Sequence, residues 1–224
     1  MRKIVFLMAL LSSLAFANYE LERQCNNGNA GSCLVLGNLY RYEDGVKQDY
    51  KKASELYSKA CEMGEAGACN NLGYLYFGGL GVRQDYKKAS DFWSKACEMD
   101  GAVGCVALGD LYYNVKQDYK KAREFWSKAC EMGVAKSCSK LGGLYQYGLG
   151  VKQDYKKANE LFGKSCEMGY ANGCVLLGFL YQYGEGVRKD YNKAMEFFGK
   201  ACDLGEQKGC DAYKEMKTKL NSNY

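Results

Sequence analysis

The chain contains neither proline nor histidine in its 224 residues. Without an imidazole, Ser-His-Asp triads, Cys-His pairs and His-ligated zinc are all excluded. Long apolar runs are scarce too. The run from Ile4 to Leu14 is too short for a spanning helix, and no later stretch approaches the roughly 20 apolar residues a bilayer requires. A clustered basic stripe is also missing. The net charge is +5, but the lysines sit beside Glu and Asp in every segment, which argues for a solvated surface and against nucleic-acid binding.

What remains is an ordinary folded composition, 47% hydrophobic and 25% charged, with 12 cysteines. Residues 1–17 read as a secretory signal: Arg2 and Lys3, the apolar run, then Ala15-Phe16-Ala17 as an A-x-A cleavage site. Removing them lowers the charge balance from +5 to +3. The expectation is a cleavable leader and a secreted or periplasmic protein.

The cysteines fall in pairs separated by seven residues, at 25/33, 61/69, 97/105, 130/138, 166/174 and 202/210, and the pairs recur every 36 residues except for one interval of 33. Such a period is the mark of a stacked array of supersecondary units. The units run over 30–65, 66–101, 102–134, 135–170 and 171–206, closed by a capping helix over 207–220, in a single solenoid from 18 to 224. Each unit has two helical halves. In the first, Leu72, Leu75 and Tyr76 and their counterparts form an i, i+3, i+4 stripe; in the second, Ala89, Phe92, Trp93 and Ala96 do so. Asp49, Asp85, Asp118, Asp154 and Asp190 are candidate N-caps for the second helices, and Gly64, Gly133, Gly169 and Gly205 fit the positions just past their ends. Gly37, Gly73, Gly109, Gly142 and Gly178 each cost a helix about 1 kcal/mol relative to Ala. Their recurrence predicts notches into which an aromatic of the neighbouring helix packs. The third unit lacks three residues between its halves, which predicts either a tighter hairpin with a local change in superhelical pitch or a deletion absorbed by one flexible loop.

Two pairings of the cysteines are open: within each C-x7-C, or from the start to the end of one hairpin, such as Cys33 to Cys61. The second scheme orphans Cys25 and Cys210 at the chain ends. The first pairs all 12 locally, as Cys25-Cys33, Cys61-Cys69, Cys97-Cys105, Cys130-Cys138, Cys166-Cys174 and Cys202-Cys210, and is preferred. Thiol exchange wants an exposed low-pKa thiol, usually in C-x-x-C, and none is present. No metal site or cofactor is expected.

The segments Leu-Gly-x-Leu-Tyr, Gly-x-Gly-Val, Asp-Tyr-x-Lys-Ala and Lys-Ala-Cys-Glu-Met-Gly resemble the Sel-like repeat, a relative of the tetratricopeptide repeat. The 36-residue unit carrying C-x7-C is similar to the Helicobacter cysteine-rich protein family, secreted proteins also catalogued as β-lactamases. The resemblance implies an all-α, right-handed α/α superhelix (solenoid) with one disulfide per repeat junction, and either β-lactam hydrolysis or a binding role.

For hydrolysis, a serine β-lactamase needs a nucleophile beside a lysine, usually S-x-x-K, with S-D-N and K-T-G elements. Ser137-Cys-Ser-Lys140 supplies the first, and on a helix Ser137 and Lys140 share a face. The partners are missing, since Lys217-Thr218-Lys219 only mimics K-T-G and S-D-N is absent. For binding, four positions per first helix vary while the Leu, Gly and Tyr framework repeats, and their offsets of 0, 1, 4 and 7 fall within an arc of about 120°. That face carries Asn38, Arg41, Asn70, Asn71, Tyr74, Phe77, Asp110, Lys140, Gln146, Phe179 and Gln182. Amides can hydrogen-bond an extended backbone, and aromatics add apolar contact at small entropic cost. The expectation is a monomeric scaffold for an extended peptide, a peptidoglycan-like ligand or another exported protein.

Overall fold

The structure, a computed structural model, describes residues 16–42 and 46–221, and within them the regular structure is entirely α-helical. Most of the expected leader, residues 1–15, lies outside the described residues. Helix α1 covers 16–26. It is followed by α2 (Ala30–Tyr42), α3 (Tyr50–Glu62), α4 (Ala66–Gly78), α5 (Tyr86–Glu98), α6 (Ala102–Asn114), α7 (Tyr119–Glu131), α8 (Ala135–Tyr147), α9 (Tyr155–Glu167), α10 (Ala171–Tyr183), α11 (Tyr191–Asp203) and α12 (Gln207–Asn221). From α2 to α11 every helix has 13 residues, so one hairpin design recurs along the chain.

The chain divides into two compact units, residues 1–105 and 106–224. In the first, α2 packs on α3, α3 on α4, and α4 on α5; in the second the same chain of neighbours runs from α7 to α12. The framework residues supply each hairpin's core. Leu36, Leu75, Leu108, Leu144 and Leu180 are buried, and each second helix contributes one large ring, Tyr57, Trp93, Trp126, Phe162 or Phe198.

The glycine notches exist because those rings need the space. A Cβ on Gly73 would stand 2.5 Å from Trp93, one on Gly142 2.7 Å from Phe162, and one on Gly178 2.6 Å from Phe198. Close approach of the paired helices therefore offsets the helix-propensity cost.

The caps also form as expected. Asp49, Asp118, Asp154 and Asp190 each accept from the backbone N–H three residues on, and Asp85 from those of Lys87 and Lys88, satisfying donors that a helix start otherwise leaves bare. Gly64, Gly133, Gly169 and Gly205 carry φ between +84° and +90°, just past the second helices. The shortened connection in the third repeat spans only residues 115–118, against 79–85 between α4 and α5, and Gln117 takes φ +53° to close it.

All six local disulfides are formed, with no free cysteine among the described residues. Each joins the end of one second helix to the start of the next first helix, at Cα separations of 4.5–4.8 Å. Every repeat junction is thus covalently clipped.

Candidate binding face

Most varied positions of the first helices are half-buried or exposed, with Ala107, Ser139 and Val175 buried, whereas the repeating Gly and all but one of the repeating Leu are sealed in the core and the repeating Tyr are half-buried. In the first unit they form a polar network across two hairpins. Asn38 Oδ1 accepts from the Tyr57 hydroxyl at 2.7 Å and from Asn71 Nδ2 at 3.1 Å, and Arg41 Nη1 donates to Asn71 Oδ1 at 3.1 Å. The Arg41 guanidinium also lies over the Tyr42 ring, 4.9 Å from its centre. Asn70 meets Trp93 through its backbone carbonyl, while its side-chain oxygen is buried without a hydrogen-bond partner among the described residues. Tyr74 packs edge-on against Trp93 at 5.2 Å, and Phe77 lies against Trp93 and Tyr86.

Tyr57 sits at the base of this network, fully buried. Burial pushes its phenol up to about 12, with the Arg41 charge pulling the other way. The neutral phenol is therefore favoured in the folded state. Unfolded tyrosine titrates near 10, so Tyr57 holds its full contribution below that pH and loses it as pH rises to about 12. In urea titrations, the wild type is expected to lose about 2–3 kcal/mol more stability than Tyr57→Phe across that window. Parallel curves for the two proteins would contradict this.

In the second unit the network is ionic. Asp110 Oδ1 accepts from Trp126 Nε1 at 2.9 Å and from Lys140 Nζ at 2.5 Å, and the ammonium stands 5.1 Å from the centre of the Trp126 ring. Gln146 donates to Glu185 at 3.4 Å, and Phe179 packs edge-on against Phe198 at 5.0 Å. Gln182 and Phe179 share a shallow cavity with α12.

The structure does not assemble Ser137 and Lys140 into a catalytic pair. Ser137 is 0% exposed and its hydroxyl has no hydrogen-bond partner among the described residues, while the Lys140 ammonium is turned to Asp110 and Trp126. The i, i+3 spacing puts both on α8, but the lysine's long stem carries its charge elsewhere.

The residues that sequence reasoning missed surround Gly143. Apart from its chain neighbours and the backbone of its own helix, no described atom lies within 4 Å of where its Cβ would be. A cavity of about 260 Å³ opens there, lined by Tyr113, Trp126, Leu144 and Tyr147 with Lys140 at its edge. The available signal was a glycine at a varied position that elsewhere carries Asn38, Tyr74, Asp110 or Phe179.

The Sel1 repeat model matches residues 30–65, 66–101, 102–134, 135–170 and 171–206, which is most of the chain. The chain belongs to the Sel1 repeat family. Among solved structures, it is similar to c5321, a protective antigen present in uropathogenic Escherichia coli strains displaying an SLR fold, with 30% identity and a TM-score of 0.79 over 91% of this chain. The match covers 49% of that antigen, so this chain spans about half its length. A Sel1 repeat protein from Oxalobacter formigenes shares the fold at 24% identity and a TM-score of 0.72, over 89% of this chain and 86% of that one. Helicobacter pylori cysteine rich protein B is 37% identical over 59% of this chain and 98% of its own, with a TM-score of 0.48. No curated protein matches the chain.

The molecule is therefore a disulfide-rich Sel1 repeat scaffold, of a repeat class that acts in protein–protein interaction. Six disulfides suit an oxidising, extracytoplasmic compartment. No helix among the described residues is long and apolar enough to cross a membrane.

Proposed function

We infer that this Sel1 repeat protein is exported and binds an extended peptide along the varied faces of its first helices. The observation that carries this reading is the division of labour on each first helix. The repeating Leu and Gly are nearly all buried, while most side chains that differ from hairpin to hairpin, among them Asn38, Arg41, Asn71, Tyr74, Lys140 and Phe179, stay at least partly accessible. The Asn38–Asn71–Arg41 network supports it further. Fixed amides on successive hairpins present donors and acceptors at a repeat spacing, which suits the regular N–H and C=O groups of an extended backbone. A guanidinium has five N–H donors, so its bond to Asn71 leaves others for a ligand carbonyl.

Selection from a displayed peptide library against the oxidised protein tests the reading, followed by calorimetry of a retained peptide. The expected result is enrichment of defined peptides whose affinity falls at least tenfold in Asn71→Ala and Arg41→Ala. No enrichment, or binding indifferent to both substitutions, would count against it. Turnover of a chromogenic cephalosporin that disappears in Ser137→Ala would replace the reading with an enzymatic one.

A further inference from the structure

We propose that the cavity at Gly143 seats one uncharged aromatic side chain of the bound partner, acting as the anchor of the interaction; this rests on the peptide-binding reading above. Its size is the first argument. Whole small-molecule sites span about 300–1,000 Å³, and this cavity, at about 260 Å³, lies just below them and takes one large side chain.

Its lining is the second. Trp126 and Leu144 form an apolar floor, and Tyr113, whose ring centre lies 5.2 Å from that of Trp126, and Tyr147 form aromatic walls. Tyr147 is 68% exposed, much as Tyr42 and Tyr183 are at the same register, so its ring is free to cover an incoming group. Ring edges and faces arranged this way favour another ring, packed offset or edge-on.

The chain's own practice at this register is the third argument. Tyr74 and Phe179 occupy the position equivalent to Gly143, and each lays its ring edge-on against a second-helix aromatic, at 5.2 and 5.0 Å. At Gly143 that ring is missing, and the space beside the backbone is open. Two of the four other hairpins thus carry a ring at this register, packed on their own second helix; a ligand ring at Gly143 would pack instead on Trp126 of the preceding hairpin.

Charge narrows the choice. An aromatic enclosure with an acid beside it also resembles a cage for a cation. Here Lys140 already stands over Trp126, and Asp110 is neutralised by the ammonium and the indole N–H. A second cation would meet the resident one, so a neutral ring is selected over lysine or arginine.

The test uses the oxidised protein and N-acetyl-L-phenylalaninamide as probe, read by the indole N–H resonances of the two tryptophans. Addition in the millimolar range is expected to shift the Trp126 signal saturably and spare Trp93, while N-acetyl-L-lysinamide at the same concentration moves neither. Gly143→Leu, whose side chain would fill the cavity, is expected to abolish the Trp126 shift and to weaken an aromatic-bearing library peptide at least tenfold. A Trp126 shift that is absent, that survives Gly143→Leu, or that is matched by the lysine probe overturns the proposal. Library peptides that bind Gly143→Leu as well as wild type overturn it too, and leave the groove reading standing. Failure to enrich any peptide, with the probe shift intact and sensitive to Gly143→Leu, overturns the groove reading and supports the cavity as an aromatic site.

Discussion

Protein unfolded, reduced and returned to native buffer with its thiols blocked is expected not to regain the oxidised protein's thermal transition. Each disulfide closes a loop of about eight residues, worth about 2.5 kcal/mol in the chain-entropy model, so six together reach about 15 kcal/mol. The net stability of a whole domain is about 5–15 kcal/mol. Losing the bridges therefore removes as much free energy as a domain of this size has to lose. The measurement must begin from denatured protein, because Cys33, Cys69, Cys105, Cys138 and Cys174 are fully buried and a reductant reaches them only after the junctions open. One pair is a finer probe. Cys61→Ala with Cys69→Ala should lower the melting temperature by about 5–10 °C, since 1 kcal/mol corresponds to about 2–4 °C at this chain length. A thiol-blocked protein that melts with the oxidised one would show that the hairpins hold their stacking without the clips.

The same 36-residue period that exposed the disulfides made most of the fold readable. The capping Asp and the notch beneath a ring are attested five times over by residue type and position, and the terminal Gly four times, with Asp100 at φ +56° in its place in the remaining unit. The physical cause of each is local or lies within one hairpin. Gly73 and Trp93, for example, sit on the two arms of a single hairpin, so helical spacing alone predicted that they meet.

The candidate face was legible only as a set of positions. The Asp110–Lys140 ion pair joins different offsets on successive first helices, 30 residues apart, and depends on how one hairpin docks on the next. Sequence spacing paired Lys140 with Ser137 instead, since i, i+3 neighbours are visible without that docking. The cavity was harder still. It consists of a side chain that is not there, and Gly143 beside Gly142 looked like one more small residue on a helix that tolerates them.

That doublet yields the sharpest test of the packing. Gly142→Leu and Gly143→Leu, one residue apart on α8, are expected to move stability in opposite directions. At 142 even a Cβ would stand 2.7 Å from the Phe162 ring, which is fully buried and has nowhere to retreat, so a leucine forces α8 and α9 apart. Overpacking of this kind costs about 1–3 kcal/mol, and more when backbones must separate. Removing a helical glycine returns about 1 kcal/mol, which is too little to reverse the sign. At 143 the new Cβ meets no described atom within 4 Å beyond its chain neighbours and its own helix backbone, and the side chain has the cavity beside it to enter. There the gain in helix propensity stands alone, supplemented by apolar contact with Trp126 and Leu144. Thermal melts should show Gly142→Leu well below the wild type and Gly143→Leu a few degrees above it. If both variants fall together, the space at Gly143 is closed in solution, and the aromatic seat proposed there closes with it.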